Sequence, residues 1–453
     1  MSANIEDTPP PRRSTRERKQ AEPFVPGPSA TRKRKRMDAN SDGDSGRKQA
    51  PRRIVQVAQP PGPAPPPKVD VKKITIKPLR SGGLPNPFQG FRSLRDEETS
   101  SMIFHGFTPE NTTVPGIYVL DCGSLKSENI LPALQHDGVD GQFARQPFPP
   151  FRDPIVVLIK PAPGESFLII FGGELQGQSR INSTLLYVDL TRKTWGEVPT
   201  DSNRPLPQGR VGAAACVVGS RLLIFGGGMA GDWEAASYSR GKISFSEETK
   251  RIEMMWQVKD KPYPEGVPYS GFFGGFAALD GGRHVLLLPG GRGSKNKVTF
   301  SGKYDKELTV YNTQTDQFFT IPSGGLRALP AFLWYLSMPP PTALAPRLPQ
   351  IEIEAGLPPR PTDFLLAHTE SMAVEGDEER NSHISHLWAV AVCTTSRTIK
   401  VKKIGIEEEI NRIWGEDKVE FFSFFTTAEK LCLWGTKEGD PAGSSPYVAE
   451  IYI

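Results

Sequence analysis

Two short apolar runs, each closed by a pair of glycines, set the pattern of this chain. Phe167-Leu168-Ile169-Ile170-Phe171 runs into Gly172-Gly173, and Leu222-Leu223-Ile224-Phe225 runs into Gly226-Gly227. Four or five consecutive apolar residues bounded by turn residues predict a strand buried on both faces. The glycine pairs predict turns that need positive φ or a close backbone approach, which a Cβ would obstruct. After the first pair come Leu185-Leu186-Tyr187-Val188-Asp189 and then Trp195.

The unit recurs along the chain. Met102-Ile103-Phe104-His105-Gly106 precedes these two, Leu286-Leu287-Leu288-Pro289-Gly290-Gly291 follows them, and Leu431-Cys432-Leu433-Trp434-Gly435 comes near the end. The last interval is wide enough for two units, and Phe364-Leu365-Leu366-Ala367-His368 falls near its middle. The central units each read as four strands. The first holds 155–160, 167–172, 184–189 and 194–198. The second holds 211–218, which is expected to line a central channel, then 222–226, 242–246 and 252–258. The third holds 275–279, 285–288 and 307–311, with Asp316-Gln317-Phe318 opening its fourth strand. Tyr187, Trp195, Trp256, Tyr311 and Phe318 fall where aromatic rings would wedge neighbouring units together.

A double glycine, an aromatic strand and a tryptophan, repeated in this way, resemble the kelch repeat, in which each repeat is one four-stranded blade of a β-propeller. The resemblance rests on Gly172, Gly173, Tyr187, Trp195, Gly226, Gly227, Trp256, Gly290, Gly291, Tyr311 and Phe318. It implies an all-β chain: a kelch-type propeller over 71–453 with six blades, seven being the alternative count, preceded by a disordered basic tail over 1–70. Closure needs the first and last blades to join. Lys73-Ile74-Thr75-Ile76-Lys77 alternates with period two. The segment 71–79 is therefore expected to add the outermost strand of the last blade, beside the strand pattern of 446–453. The proline-rich stretch 339–361 and the acidic stretch 374–382 read as surface inserts.

Charge separates the tail from the body. Residues 1–80 carry 19 Lys and Arg against 8 Asp and Glu, although the whole chain is only +4. With 13 prolines and one aromatic residue, Phe24, in its first 70 positions, the tail lacks the apolar surface to offset its ordering entropy. Arg32-Lys33-Arg34-Lys35-Arg36 is similar to a nuclear localisation signal, which implies an importin partner and a nuclear location, with the cytoplasm as the alternative. The same charge would allow weak nucleic-acid contact. Four scattered cysteines fit buried free thiols in a reducing compartment. No run approaches the length of a membrane span, so no membrane role is expected.

Chemistry is sparse. Asp38-x-Asn40-x-Asp42-Gly43 begins like a calcium loop but has Gln49 at the twelfth position. Gly290 to Lys295 lacks the spacing of a phosphate loop. His383 and His386 lie near acidic residues, but metal binding there is not the favoured reading. No cofactor, metal or catalytic residue is expected; a non-enzymatic role is the favoured reading, with a chromatin-associated role through the tail and, behind it, a kelch-fold enzyme as the alternatives. The loops that follow the second strands carry Arg180, then Asp232, Trp233 and Arg240, then Arg292, Lys295 and Lys297. If their blades are neighbours these loops share one rim, and arginine and tryptophan dominate binding hot spots. The resemblance implies a scaffold or adaptor, and the basic rim suits a protein partner that presents an acidic peptide.

Overall fold

The computed structural model describes residues 68–69, 73–78, 92–96, 98–107, 115–139, 141–144, 146–175, 181–199, 206–229, 237–267, 275–288, 292–294, 297–299, 307–323, 336–338, 345–353, 355–356, 358–373, 379–406, 419–427, 429–437 and 447–452. The chain divides into 1–63 and 64–453, and every described residue belongs to the second unit. The basic cluster Arg32–Arg36 lies outside the described residues.

Six sheets, each built on four antiparallel strands, follow one another along the chain, and together they form a six-bladed β-propeller; the short strands Lys68–Val69 and Gln135–His136 add in parallel to the outer edges of the fifth and second. Blade one is Arg92–Asp96, Ser101–Phe107, Pro115–Asp121 and Lys126–Asn129. Blade two is Ile155–Ala162, Glu165–Phe171, Leu185–Asp189 and Thr194–Glu197. Blade three is Ala214–Val218, Arg221–Phe225, Ser237–Ser246 and Arg251–Pro262. Blade four is Phe276–Leu279, His284–Leu287, Glu307–Asn312 and Gln317–Pro322. Blade five is Leu336–Met338, Phe364–Ala373, Glu379–Cys393 and Thr398–Ile404. Blade six takes Val419–Thr426, Leu431–Lys437 and Tyr447–Tyr452 from the end of the sequence and Lys73–Pro78 from its beginning. The first strands of successive blades touch one another from blade one to blade six. The Arg95 guanidinium then reaches from blade one to the carbonyl and hydroxyl of Thr426 in blade six.

Alternation within each second strand explains the unbroken apolar runs. In blade two, Phe167, Ile169 and Phe171 pack with Leu222, Ile224 and Trp256 of blade three. The intervening Leu168 and Ile170 pack with Ile103 and Ile117 of blade one. Successive side chains of a strand point to opposite faces, and here both faces are core. The layers continue around the ring. Leu223 and Phe225 meet Val285 and Tyr311 between blades three and four. Leu286 and Val310 meet Leu366 and Val390 between blades four and five. Blades five, six and one share Leu365, Leu433, Trp434 and Phe104. Aromatic rings bridge three of these seams: Phe171 and Trp256 at 5.7 Å, Phe225 and Tyr311 at 5.4 Å, Phe104 and Trp434 at 5.0 Å. Trp195 instead packs on His136 and Phe148 of the segment between blades one and two.

The glycine pairs work through both φ and space. Gly172 and Gly173 have φ of 73° and 81°. A Cβ on Gly172 would lie 2.1 Å from the Arg210 carbonyl oxygen, to which Gly173 donates its N–H at 2.8 Å. The pair thus lets the chain that leads into blade three press on the end of blade two.

Two stretches differ from the sequence expectation. The proline-rich insert does not lie wholly on the surface: Leu348, Ile351 and Ile353 are buried in the core shared by blades five, six and one. Gly356, with φ of 83°, lies in its described turn, and three apolar side chains at intervals of two or three residues give it an inner face. The part of the acidic stretch that is described, 379–382, is not a loop but belongs to the strand Glu379–Cys393, which pairs with Phe364–Ala373 out to Ala373 and Glu379, while 374–378 lie outside the described residues. His383 is within that ladder, opposite Glu370.

Closure relies on one further contact. Glu450, 2% exposed, accepts hydrogen bonds from Lys430 of blade six and, at 2.7 Å, from Lys77 of the early strand. Burial alone would raise its pKa, but the two ammonium groups outweigh burial and hold the carboxyl below its ordinary value. A carboxylate with a depressed folded pKa stabilises the fold above its unfolded pKa and loses that contribution as pH falls through the folded value. Deleting residues 1–80 is therefore expected to abolish the cooperative thermal transition, while deleting 1–60 leaves the melting temperature unchanged in calorimetry. Glu450→Gln is expected to lower the melting temperature at pH 7, with the gap to the unsubstituted protein shrinking below about pH 4.

Candidate functional site

The turn between the third and fourth strands is built the same way in five blades. A residue at the end of the third strand is followed four positions later by a residue with positive φ: Asp121 and Leu125, Asp189 and Lys193, Ser246 and Lys250, Asn312 and Asp316, Cys393 and Arg397. In the first four turns the leading side chain accepts backbone N–H groups two or three residues on. Asp189 accepts from Thr191 and Arg192, both at 2.9 Å, and Asn312 from Gln314 at 2.9 Å and Thr315 at 3.0 Å. Asp121 and Ser246 accept from Ser124 and Thr249. This is the local hydrogen bonding that makes Asp, Asn and Ser turn residues.

Where the turns of blades four and five come together, a polar cleft of about 480 Å³ opens, within the range of about 300–1,000 Å³ typical of ligand sites. Its lining comes from His284 at the start of a strand, Asn312, Thr315 and Gln317 of one turn, Thr394, Thr395 and Arg397 of the other, and Phe318 and Phe319. Behind it a chain of hydrogen bonds fixes the geometry. Asp280 Oδ2 accepts from the Thr394 hydroxyl and from His284 Nδ1, both at 2.8 Å, and the Arg360 guanidinium lies 3.7 Å from Oδ1. With Nδ1 carrying the proton, His284 Nε2 accepts from the Asn312 amide at 3.2 Å. Burial pushes the Asp280 carboxyl up, but Thr394, His284 and Arg360 outweigh it and hold it below its ordinary value. Asp363, beside the same seam, is raised by burial, although it accepts the Val392 N–H at 2.7 Å.

Cys393 takes the leading position in the turn of blade five. Its thiol is half-buried; burial raises it, but the Ser396 hydroxyl, the Ser396 and Thr395 N–H groups and Arg360 hold it below its ordinary value. The two N–H groups occupy the positions, two and three residues on, from which a carboxylate or amide oxygen is bound in other blades. Burial drives the other three thiols the opposite way: Cys122 to about 11, Cys216 to about 12, and Cys432 upward as well.

Of the rim residues expected from sequence, Arg240 is not on a loop. It lies in the third strand of blade three, which begins at Ser237. Its guanidinium bridges to blade four, 3.2 Å from the Tyr311 hydroxyl and 3.1 Å from the Asp316 carboxylate. The Tyr311 and Tyr238 hydroxyls donate to the same carboxylate at 2.6 and 3.1 Å. Strand pairing reaches further toward the glycine pair than the run Lys242–Ser246 implies. Arg292 and Lys297 belong to a short hairpin, Arg292–Ser294 paired with Lys297–Thr299, of which the backbone alone is described. Arg180, Asp232, Trp233 and Lys295 lie outside the described residues, as do Gly290 and Gly291. Second-to-third-strand loops and third-to-fourth-strand turns leave opposite ends of a blade. The cleft is thus on the other face from the expected rim.

Sequence reasoning passed over Asp280, His284, Asn312, Thr394 and Arg397. The signal was a turn-forming residue at the end of each third strand, but Cys393 breaks the Asp/Asn/Ser series and hides the fifth instance. Arg210 was also missed. Fully buried, it donates to the carbonyls of Gly226 and Ser237 at 2.8 Å and to Asp260 at 2.7 Å, a structural role. Among the described residues no group of three or more His, Cys, Asp and Glu is arranged to hold a metal ion.

Arg210→Ala is expected to cost about 1–3 kcal/mol in denaturant unfolding, since it removes the side-chain donor to the Gly226 and Ser237 carbonyls at a fully buried site. In the native protein, iodoacetamide is expected to label Cys393 ahead of the three buried thiols, because the thiolate is the reactive form and only Cys393 is shifted toward it; peptide mass mapping reads the order.

Compared with models of known protein families and with curated proteins, the chain matches none.

Proposed function

We propose that this chain is a kelch-type propeller that acts as a non-enzymatic protein-interaction module in the nucleus. The observation that carries the reading is the closed six-bladed ring, an architecture whose turns and loops emerge on two faces while its sheets are consumed by packing. Kelch type is supported by the glycine pairs Gly172-Gly173 and Gly226-Gly227 at the ends of second strands, all four with positive φ, and by Tyr187 and Tyr311 in third strands. Trp195 and Phe318 follow in the fourth strands of the same blades. The ion pairs Arg210–Asp260, Arg240–Asp316 and Lys77–Glu450 hold strands and blades together, so these charges are not free to do chemistry. Binding is then left to exposed turns and loops.

The nuclear location rests on the five consecutive basic residues Arg32–Arg36 and on an importin that would read them. The charge of the first 80 residues supports a second reading, weak nucleic-acid contact through the tail. Its mark would be affinity that falls steeply with salt and vanishes when 1–60 are removed.

Capture from a nuclear extract with residues 64–453 is expected to retain a specific set of proteins. The set is expected to shrink for the triple variant Trp233→Ala, Arg292→Ala, Lys295→Ala. A set that does not differ from a bead control would end the module reading, and an unchanged set would remove the rim. Replacing Arg32–Arg36 by alanine is expected to shift the fluorescently tagged protein to the cytoplasm.

A further inference from the structure

We propose that the cleft between blades four and five is an oxyanion pocket that receives an acidic side chain of a bound peptide, carried as a carboxylate or as a phosphate monoester. This rests on the reading of the propeller as a protein-interaction module, but it assigns a second site, on the opposite face from the rim.

Charge makes the first part of the case. Arg397 is exposed on the turn of blade five, and its guanidinium lies over the Phe319 ring at 5.4 Å. It makes no ion pair among the described residues. An arginine stacked on an aromatic ring is oriented before a ligand arrives, and its planar fork matches a carboxylate or phosphate. None of the residues lining the cleft is acidic. The nearby carboxylates are already engaged: Asp280 by His284, Thr394 and Arg360, and Asp316 by Tyr311, Tyr238 and Arg240. An incoming anion therefore meets a cation with its neighbouring negative charges neutralised.

Donors make the second part. The Asn312 carboxamide gives one N–H to His284, and its oxygen takes two backbone N–H groups, so its orientation is fixed and its second N–H is left over. Thr315, Thr395 and Gln317 add two hydroxyls and a second carboxamide to the same lining. Asp280 acts behind this set as a positioning residue: it holds His284, which holds Asn312. One cation with several convergent donors, backed by a fixed hydrogen-bond chain, suits a ligand with two or three terminal oxygens.

The test uses the full chain and three small probes in NMR titrations: N-acetyl-phosphoserine amide, N-acetyl-glutamate amide and N-acetyl-serine amide. At least one anionic probe is expected to bind at least about tenfold more tightly than the neutral one, and whichever of the two is tighter identifies the oxyanion. Arg397→Asn is expected to abolish that preference, since asparagine tolerates positive φ and removes the cation. Thr395→Val, on the exposed turn, is expected to weaken the anionic probe severalfold with the fold intact. Equal binding of all three probes, or an undiminished preference in both variants, would overturn the pocket. Protein capture that succeeds while the probes fail would sink the pocket alone. Probes that bind to a protein that captures nothing would sink the module reading alone.

Discussion

A ring of sheets holds only if its two ends are joined, and here the join is a single antiparallel strand pair. Lys73–Pro78 lies against Tyr447–Tyr452, with Ile74 opposite Ile451 and Ile76 opposite Ala449. Blade six would otherwise have three strands and an open edge, which is both unstable and prone to pairing with other chains. The join is secured at two radii. Near the outer edge Lys77 and Lys430 share the Glu450 carboxylate, and at the inner strands Arg95 reaches Thr426. A second early segment, Lys68–Val69, runs parallel to Lys403–Ile404 of blade five, so the beginning of the propeller overlaps two blades.

Given closure, each seam becomes a core shared by two sheets, and no blade has a private interior. This is why the second strands are apolar on both faces, and why polar residues that enter a seam must be fully partnered there. Arg210 at the blade-three junction and the Tyr238, Tyr311, Arg240 and Asp316 set between blades three and four meet that demand at the terminal guanidinium nitrogens and at the tyrosine and aspartate oxygens, while the Nε atoms of both arginines lack a partner among the described residues. The seam between blades four and five meets it incompletely at one end. There the two turns line a polar cleft, and a fixed chain from Asp280 through His284 to Asn312 borders it.

Much of the fold was legible because burial on both faces writes itself as a run. Phe167–Phe171, Leu222–Phe225 and Leu431–Trp434 are each the second strand of a blade, and Phe364–Ala367, with no glycine pair after it, is another. What the runs could not disclose was how far pairing extends once it begins. Ser237–Ser246 starts five residues before its apolar alternation does, which converts Arg240 from a loop residue into a bridge between blades. Nor could composition show that a proline-rich stretch turns Leu348, Ile351 and Ile353 inward. The cleft was illegible for another reason. Its residues come from two turns and a strand start more than a hundred positions apart, and the backbone N–H groups that define such turns leave no trace in side-chain identity when cysteine takes the place of aspartate.

The strand that closes the ring has a consequence for biosynthesis. Tyr447–Tyr452 leaves the ribosome some 370 residues after Lys73–Pro78, an interval of roughly 20–75 s at usual elongation rates. Throughout it the early strand has no sheet to join, and five blades can assemble around a gap. Its lysines at both ends and its terminal proline then act as guards against premature or foreign partners. Nascent chains stalled before Tyr447 should accumulate as open, chaperone-dependent arcs.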